Sequence, residues 1–450
     1  MFIDFMQKIF EKNADQDAVV WKDKIYSYKW LKNRIHEWLK LFSQKNIPRG
    51  SVVILEADFS PNAAAVFLAS IEHGCALVPI TKTVGEKKEE FISTAQGEWS
   101  VEIDEKDQTC VKPLDNHADH PYYRKLRELK HPGLVLFSSG STGKSKAAVH
   151  DMSYLLEKFK VPKQRLRTIP FLLYDHIGGV NTLLYTLSNG GCIVTVQDRN
   201  PDSVLRAVER HKVELLPTSP TFINLILLSE AYQKYDISSL KTVTYGTEPM
   251  PESTLKRFHE LFPNIQLKQT YGLSELGILR SKSKNSGSLW VKVGGEGFQT
   301  RVVDGILQIK ARSAMLGYLN APSPFTEDGW FNTGDYVEQN GEYLKIYGRK
   351  SEMINVGGEK VTPGEVESVV QEMDNVAEVT VFGKKNLITG NIVAARVRLI
   401  EEEEHADFKN RLRQHCRKKL ANYKIPRIIQ FDSQKQHSAR FKKIRDIHSS

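Results

Sequence analysis

The sequence of 450 residues has few cysteines and no long apolar run. Its four cysteines lie far apart and form no Cys-x-x-Cys pair, which argues against a disulfide framework or a structural zinc site and is typical of a reducing compartment. The most apolar stretches, such as 63–69 and 182–187, are too short to cross a bilayer. The N-terminal segment is amphipathic and lacks the small-residue cleavage site of a signal peptide. These absences predict a cytoplasmic protein with no membrane span.

Internal repeats are also lacking, and the longest low-complexity segment is the run of glutamates at 401–404. Because hydrophobic residues make up 40% of the chain and charged residues 26%, a disordered or collagen-like protein is excluded. The length predicts roughly two to four domains and a large buried core.

Positive charge is concentrated at the C-terminus. The whole chain has a net charge of +9, and the segment 405–450 alone carries 13 Lys and Arg against 3 Asp and Glu. The rest of the chain is therefore close to neutral. Such a tail either attracts a polyanion, for example nucleic acid, an acidic protein or a nucleotide phosphate, or is a solvated helix face.

Short strand-like runs alternate with helical patterns over most of the chain. The runs rich in β-branched residues are 51–55, 76–80, 134–137, 192–196 and 242–245. Helical spacing lies between them, as in 61–73 and 202–211. This alternation predicts an α/β fold in which a large N-terminal domain, residues 1–348, contains several subdomains with mostly parallel sheets.

A small α+β C-terminal domain is predicted over residues 349–450. Thr362 is expected to be a helix N-cap, Pro363 the first helical residue and Glu365 the partner in a capping box. One sheet and a second helix with an apolar stripe follow. We expect this domain to be joined to the first near residues 349–352.

The strongest functional signal is a strand that runs into a loop of Ser, Thr and Gly. Small residues let backbone N–H groups converge, and hydroxyl groups add donors, so the loop suits a di- or triphosphate. Lys144 and Lys146 add positive charge. A Walker A loop is excluded because Ser138 stands where that motif requires the Gly that precedes Gly143.

Two further motifs carry carboxylates. Glu275 follows a strand-like run and a hydroxyl residue, an arrangement that can hold Mg²⁺ against phosphate oxygens. Asp335 follows a Gly turn and can accept hydrogen bonds from two vicinal ribose hydroxyls. Arg349 comes shortly after and can reinforce the ribose or contact phosphate. Each motif alone is ordinary turn chemistry.

Taken in order, these motifs resemble those of the adenylate-forming acyl-activating superfamily, closest to acyl- and aryl-CoA ligases and carrier-protein acyl ligases. The resemblance extends over nearly the whole chain, from the Ser/Thr/Gly-rich loop to a hinge-proximal loop at 354–367 and the basic tail. The sequence departs from the family pattern at Ser145, Ala147, Asn355 and Phe441. None of these departures removes a charge that the chemistry needs.

The resemblance implies a role for each motif. The residues expected to bind ATP are Ser138, Ser139, Gly140, Ser141, Thr142, Gly143, Lys146, Gly246, Thr247, Glu248, Tyr271, Gly272, Ser274, Asp335 and Arg349. Glu275 is the expected metal ligand and, with Lys146 and a lysine of the tail, a catalytic residue. Gly357 and Gly358 are expected on the thiol side, and Ser351 at the hinge.

The family reaction has two steps and uses ATP and Mg²⁺. A carboxylate attacks the α-phosphate of ATP to give an acyl-adenylate and pyrophosphate. The small domain then rotates, and the thiol of CoA or of a carrier-protein phosphopantetheine attacks the adenylate. In the first step a lysine of the tail neutralises phosphate charge. Two registers of the tail place Lys442 or Lys443 there, and the alignment favours Lys442.

The segment 170–179 occupies the substrate-gating position of the family. His176 at that position is typical of ligases of plain acids, whereas Asp175 is typical of domains that bind an amino acid, and the two residues are adjacent. Tyr245 and Gly277 belong to apolar or small segments that suit a hydrocarbon or aryl tail. We expect a small carboxylic acid without an α-amine, either fatty or aryl. Alternatively, Asp175 and His176 are only a polar pair of the loop.

The acceptor and the competing functions stay open at this point. The basic tail suits both CoA and an acidic acyl or peptidyl carrier protein. Nucleic acid is not expected, since no helix-turn-helix or aromatic-rich RNA motif accompanies the tail. Two other hypotheses are a stand-alone amino-acid adenylating domain and a nucleotide-binding homologue with weakened chemistry, for which Ser351 and Phe441 are the only support.

Overall fold

A computed structural model describes residues 1–139, 145–434, 436–438 and 443 of the chain. Its α-helices in these residues are α1 Asp4–Lys12, α2 Tyr28–Gln44, α3 Pro61–His73, α4 Lys88–Thr94, α5 Pro121–Leu129, α6 Met152–Leu156, α7 Ile177–Ser188, α8 Pro201–His211, α9 Pro220–Ser229, α10 Glu252–Leu261, α11 Pro363–Gln371 and α12 His405–Arg417.

The strands follow the predicted alternation with the helices as far as β13 and then succeed one another with few helices between them. They are β1 Asp17–Trp21, β2 Lys24–Ser27, β3 Val52–Glu56, β4 Ala76–Ile80, β5 Trp99–Ile103, β6 Thr109–Pro113, β7 Gly133–Ser139, β8 Ser145–Asp151, β9 Arg167–Thr168, β10 Cys192–Val194, β11 Leu215–Thr218, β12 Thr242–Tyr245, β13 Gln266–Gln269, β14 Gly272–Leu273, β15 Gly277–Ile278, β16 Ser281–Ser283, β17 Trp290–Val293, β18 Phe298–Val303, β19 Ile306–Ala311, β20 Gly317–Tyr318, β21 Phe331–Asn340, β22 Tyr343–Arg349, β23 Ile354–Val356, β24 Glu359–Val361, β25 Val376–Asn386, β26 Gly390–Leu399 and β27 Ile428–Phe431.

Two mostly parallel sheets contain strands β1 to β13 together with β20. One has the strand order β13-β12-β11-β9-β10-β1-β2 and is parallel except at β2. The other has the order β20-β8-β7-β4-β3-β5-β6, with a parallel centre and antiparallel edges. A single hydrophobic cluster joins one face of each sheet to α2, α3 and α7. The predicted α/β class with mostly parallel sheets is confirmed for this part of the chain.

Helix α3 illustrates how the sequence fixes an element between these sheets. The Ser60 hydroxyl accepts a hydrogen bond from the Ala63 N–H at 3.1 Å, and Pro61 occupies the first helical position. Gly74 ends the helix with φ +87°, a conformation that favours glycine. Because it packs against α2 and against strands β3 and β4, nearly every residue up to Ile71 is buried, as its continuous apolar composition predicts.

An antiparallel sheet follows, with the order β16-β17-β22-β21-β19-β18. It is the region of short strands and glycine turns. In its centre, Asp335 of β21 is paired directly with Arg349, the last residue of β22. The chain enters the small domain immediately after this sheet, so the Asp335–Arg349 pair lies at the connection between the two domains.

The small domain has its own sheet, with the order β24-β23-β26-β25 and β27 beside β26. Helices α11 and α12 pack their apolar residues on it, among them Val366, Val370, Phe408 and Leu412. The predicted small α+β domain is therefore confirmed, whereas its boundary at residues 348 and 349 stays a prediction.

One local prediction in this domain is wrong. Thr362 precedes α11 and Pro363 begins it, as expected, but the Thr362 side chain makes no capping hydrogen bond. The Glu365 carboxylate instead accepts hydrogen bonds from the Lys424 ammonium at 2.7 and 2.8 Å. An ion pair with a residue 59 positions away replaces the local capping box, and the sequence motif does not contain that competitor.

Among the helices in the described ranges, none has both the length and the apolar composition needed to cross a membrane.

A prediction follows from the first turn of α7. A β-carbon at Gly179 would overlap the carbonyl oxygen of Leu173. We expect Gly179→Ala to lower the free energy of unfolding by about 3 kcal/mol, because the backbone cannot yield without breaking contacts in the core. Gly364→Ala is the control, since its new β-carbon would only be in ordinary contact with Pro249. Thermal unfolding of both variants measures the effect, and equal stability would contradict this account of α7.

Candidate active site

The predicted phosphate loop follows β7 and precedes β8 of the second sheet. Strands β7 and β8 are antiparallel partners, with Ser138 opposite Lys146. Asn320 holds the start of β8, because its amide donates to the Ser145 carbonyl at 2.8 Å and its side-chain oxygen accepts from the Ala147 N–H at 3.0 Å. The loop residues Gly140, Ser141, Thr142 and Gly143 lie outside the described residues, and of Ser139 only the backbone is described.

Lys146 and Glu275 both contact the same tyrosine, Tyr318. The Lys146 ammonium lies 5.3 Å from the centre of the Tyr318 ring, and the Tyr318 hydroxyl donates to Oε1 of Glu275 at 2.6 Å. Burial and the charge of Glu275 raise the pKa of Tyr318, so the hydroxyl remains a donor at neutral pH. Two residues predicted to be catalytic are thus brought together by a third that the sequence did not indicate.

A buried histidine binds the backbone of the Ser274–Glu275 segment. His150 is fully buried, and its Nε2 lies 2.6 Å from the carbonyl oxygen of Ser274. Burial lowers the pKa of His150, so the ring is neutral, and its Nε2 must carry the proton to donate to this carbonyl. The bond joins β8, which carries Lys146, to the loop that carries Glu275. Sequence analysis missed this residue.

Glu275 also has the chemistry of a magnesium ligand. Mg²⁺ is bound by oxygen ligands, usually one or two carboxylates together with phosphate oxygens. Tyr318 occupies Oε1 of Glu275, and in the described part of the chain no hydrogen bond reaches Oε2. The residue therefore fits the metal role predicted for it.

A second cluster surrounds Asp335, which is 6% exposed. The Tyr271 hydroxyl donates to Oδ2 of Asp335 at 2.5 Å, and Nε of Arg349 lies 3.2 Å from Oδ1. Arg349 also donates to the Thr333 carbonyl, and the Thr333 hydroxyl accepts from the Asp335 N–H at 3.0 Å. The carboxylate is held rigidly by these contacts. The predicted ribose pair, Asp335 and Arg349, and the predicted Tyr271 therefore lie together.

Electrostatics connect the two clusters through Arg349. Burial alone would lower its pKa, but the charge of Asp335, with Tyr271 and Glu275, raises it. Arg349 consequently remains a cation that interacts with the carboxylates of both clusters, Asp335 and Glu275.

The segment 246–249 lies beside Gly348, the residue that precedes Arg349. A β-carbon at Gly348 would be 3.1 Å from the Pro249 ring, and one at Gly246 would be 2.8 Å from the Thr270 hydroxyl. Thr247 has φ +73°, which is strained for a β-branched residue, and its buried hydroxyl has no partner among the described residues. A strained backbone with an unsatisfied donor is suited to a ligand with hydrogen-bonding atoms, as the predicted nucleotide has.

Glu248 of the same segment contacts the tail. Its Oε1 accepts from the Thr221 N–H at 2.8 Å, and its Oε2 accepts from the Lys443 N–H at 3.1 Å. The Lys443 ammonium donates to Glu367 of the small domain at 2.9 Å. The tail is therefore next to the predicted nucleotide segment, whereas Lys442 itself lies outside the described residues.

The four residues predicted for the acyl pocket are distributed around α7 and the ends of two strands. His176 is the N-cap of α7, since its Nδ1 accepts from the Gly178 N–H at 3.0 Å. Asp175 is buried and accepts from the Thr81 hydroxyl at 3.3 Å. Tyr245 is buried at the end of β12, and Gly277 has φ +82° in β15. Asp175 and His176 both have structural contacts, as their alternative interpretation as a polar loop pair requires.

Gly357 and Gly358 form the turn between β23 and β24, both with positive φ, and Gly358 donates its N–H to the Asn355 side chain at 2.9 Å. Ser351 is exposed in a short 3₁₀ turn after β22. A β-carbon at Gly358 would meet no atom within 4 Å, so the space beside this turn is open. The assignments of these three residues to the thiol side and the hinge stay predictions.

Sequence analysis also missed Lys158, which lies beside the acyl-pocket segments. Its ammonium donates to the Asn181 side chain of α7 at 2.6 Å and to the Ile278 carbonyl of β15 at 2.9 Å. Burial lowers the pKa of Lys158 to about 7. No sequence signal marks it, because only the fold encloses it.

The fold and the site together define a two-domain α/β protein in which the predicted nucleotide residues Asp335 and Arg349 lie close to the start of the small domain. The chain belongs to the AMP-binding enzyme family: the model of that family matches residues 6–304, and the model of the AMP-binding enzyme C-terminal domain matches residues 365–442. The resemblance inferred from the motifs is thereby confirmed.

Curated relatives carry names from the same family. The chain is 31% identical to acyl-CoA synthetase 7 of Caenorhabditis elegans over 69% of its length, and 29% identical to indoleacetate–CoA ligase of Aromatoleum aromaticum over 67%. The matched regions span 65% and 63% of the length of these two relatives.

Solved structures share the fold over both domains. A crystal structure of the anthranilate CoA ligase AuaEII with anthranoyl-AMP has a TM-score of 0.84 and 20% identity, covering 98% of this chain and 95% of that one. An ATP-bound MatB from Rhodopseudomonas palustris has a TM-score of 0.77 and 20% identity, with 98% and 97% coverage.

The low pKa of Lys158 gives a pH-dependent prediction. The unfolded chain binds this proton up to its ordinary pKa of 10.5, whereas the folded chain releases it near 7. Between these values the unfolded state binds more protons, so folding becomes more favourable as pH rises from 7 to 10.5. We expect this residue to contribute on the order of 4 kcal/mol to that rise.

Lys158→Met removes the ionisable group and isolates the effect. Urea unfolding of both proteins between pH 7 and 10.5 should show a steeper rise in stability for the wild type than for the variant. The Lys384→Met control alters an exposed lysine and should leave the pH profile unchanged. Parallel profiles for the wild type and Lys158→Met would contradict the burial of the ammonium.

Proposed function

We propose that the protein is an AMP-forming acid–thiol ligase. It activates a fatty or aryl carboxylic acid with ATP to an acyl-adenylate, releases pyrophosphate, and transfers the acyl group to a thiol. The observation that supports this proposal is that the Lys146–Tyr318–Glu275 cluster and the Asp335–Arg349 pair interact electrostatically through Arg349, while Glu248 contacts the tail. Family membership supports the same reaction.

In the first step, a substrate carboxylate oxygen attacks the α-phosphorus of ATP, and the bond to the leaving pyrophosphate breaks. Asp335 accepts hydrogen bonds from the ribose hydroxyls, while Arg349 holds that carboxylate in place. Lys146 and the tail lysine, for which Lys442 is our assignment, neutralise the charge that develops on the phosphate oxygens. When bound at Glu275, Mg²⁺ supplies further neutralisation of the phosphates.

In the second step, the sulfur of the thiol attacks the acyl carbon, and AMP leaves. The small domain turns about the segment at Ser351 and brings Gly357 and Gly358 to the thiol side. CoA is the acceptor that the names of the relatives favour. A carrier-protein phosphopantetheine remains the alternative, and an acidic carrier protein would suit the basic tail.

The substrate is proposed to lack an α-amine. A domain for amino acids needs a carboxylate at the substrate-gating position for the ammonium, and the candidate there, Asp175, is buried against Thr81. The indoleacetate and anthranilate ligases among the similar proteins favour an aryl acid. We propose the same cytoplasmic location as in the sequence analysis.

The experiment that tests this function is carboxylate-dependent exchange of pyrophosphate into ATP. We expect exchange with at least one of indole-3-acetate, anthranilate and decanoate, because the candidate pocket segments are apolar or small. Exchange with phenylalanine alone would favour the amino-acid adenylating domain. Failure with every acid would favour a nucleotide-binding homologue with weakened chemistry. Addition of CoA and detection of the thioester by mass spectrometry then identifies the acceptor.

The ribose assignment has its own matched test. Asp335→Asn removes the charge that accepts the ribose hydrogen bonds, so the KM for ATP should rise by about 10- to 100-fold. Asp328→Asn is the control, because Asp328 is also paired with an arginine, Arg301 at 2.8 Å, but is exposed in a loop of the same sheet. Steady-state exchange kinetics of the two variants compare the effect. A KM equal to that of the wild type in Asp335→Asn would remove the ribose role.

A further inference from the structure

The tail is fixed by two carboxylates that belong to different domains. Glu248 of the large domain accepts the Lys443 N–H at 3.1 Å, and Glu367 of the small domain accepts the Lys443 ammonium at 2.9 Å. The same ammonium donates to the Val379 carbonyl at 3.1 Å. Both the backbone and the side chain of one residue are therefore held at the interface.

The ion pair with Glu367 is enclosed by protein. The Glu367 side chain is 2% exposed and that of Lys443 is 17% exposed. The other Glu367 oxygen accepts the Val381 N–H at 2.9 Å, which fixes the carboxylate on the edge strand β25. A buried carboxylate is strongly destabilised when its counter-charge is removed. The pair is therefore a strong anchor, in contrast to an exposed surface pair.

The segment that leads to Lys443 is held on the same face of the small domain. Gln436 accepts from the Thr380 hydroxyl at 2.8 Å and donates its N–H to Glu378 at 3.2 Å. His437 is the antiparallel β-bridge partner of Lys443. Both described parts of the tail thus lie on the sheet of the small domain.

The two domains meet beside this anchor. The Ser253 N–H of α10 donates to the Ser368 hydroxyl of α11 at 3.2 Å, and the Asn224 amide of α9 donates to the Ala377 carbonyl at 3.3 Å. Glu367 immediately precedes Ser368 on α11. Lys443 therefore bridges the interface. Its ammonium binds Glu367 of the small domain, and its N–H binds Glu248 in the predicted nucleotide segment.

We propose that Lys443 and Glu367 are positioning residues that hold the tail beside Glu248 for the adenylation step, while Lys443 itself contacts no reacting atom. The inference rests on the proposed function, because it assigns the chemistry to the neighbouring Lys442. An ammonium already bound to two acceptors in the small domain is not free to neutralise a phosphate. Its two contacts can, however, hold the neighbouring residues of the tail in the position that phosphoryl transfer requires.

The test separates the two half-reactions. Lys443→Met keeps the length and apolar stem of the side chain but removes the charge. We expect the rate of acyl-adenylate formation to fall by about 100-fold with the KM for ATP unchanged, because the tail is misplaced and the cleft is intact. Thioester formation from synthetic acyl-adenylate and CoA should be unaffected. Lys443→Arg, which keeps the charge, should restore adenylation.

Glu367→Gln should lower adenylation like Lys443→Met, and the double variant should be no worse than either single variant, because both remove one contact. Lys424→Met is the matched control, since Lys424 also pairs with a glutamate of α11, Glu365 at 2.7 Å, in the same domain. Unchanged adenylation in Lys443→Met would overturn the inference. So would an equal loss of both half-reactions with a lower melting temperature, or full adenylation in Lys442→Ala.

A second measurement does not depend on activity. Trypsin cleavage after Lys443, followed by mass spectrometry of the C-terminal peptide, should be slow in the wild type and faster in Glu367→Gln, with Glu365→Gln as the control. Equal cleavage in all three proteins would overturn the anchor. If no acid supports pyrophosphate exchange in the wild type, the proposed function fails, and this assay still decides whether the tail is held by Glu367.

Discussion

The site depends on the register between β21 and β22, which sets Asp335 directly opposite Arg349. A carboxylate that is almost fully buried is costly unless it is paired and hydrogen-bonded, and here the Tyr271 hydroxyl and the Arg349 side chain satisfy it, while its backbone N–H donates to the Thr333 hydroxyl. Arg349 is also the last residue of β22, and the first strand of the small domain's sheet begins at Ile354. Strand β22, which positions the predicted ribose contact on β21, is thus also the strand that leads to the small domain.

Carboxylates recur as the connections between distant parts of the molecule. Glu275 receives Tyr318 and lies on the loop that His150 supports, so β8, β20 and the Ser274–Glu275 loop form one unit. Glu248 and Glu367 hold the tail from opposite sides of the domain interface. Because buried hydrogen bonds to charged groups are stronger than neutral ones, a few such contacts can position groups that loops alone would leave variable. The proposed chemistry requires this rigidity, since its catalytic groups come from both domains.

One buried charge beside the candidate acyl pocket destabilises the folded protein. Lys158 places an ammonium among neutral acceptors, where burial lowers its pKa to about 7. It joins α7 to β15, the two elements on which His176 and Gly277 lie. Such a buried, imperfectly compensated charge is destabilising, and it is tolerated where the surrounding structure is fixed by a large core. The cluster that joins both sheets to α2, α3 and α7 provides that core.

The sequence by itself determined the alternation of strands and helices, the bounds of α3, the start of α11 at Pro363, and the motifs that contain Lys146, Glu275, Asp335 and Arg349. These features depend on local periodicity, on proline and glycine, and on residue types needed by the chemistry, all of which are present in a short window. Tertiary structure alone decided the partners. Tyr318 contacts Glu275, His150 contacts the Ser274 carbonyl, Lys443 contacts Glu367, and Lys424 removes Glu365 from its capping box. These pairs are separated by 43 to 124 residues, and spacing in the sequence has no information about which distant groups the sheet topology brings within hydrogen-bonding distance.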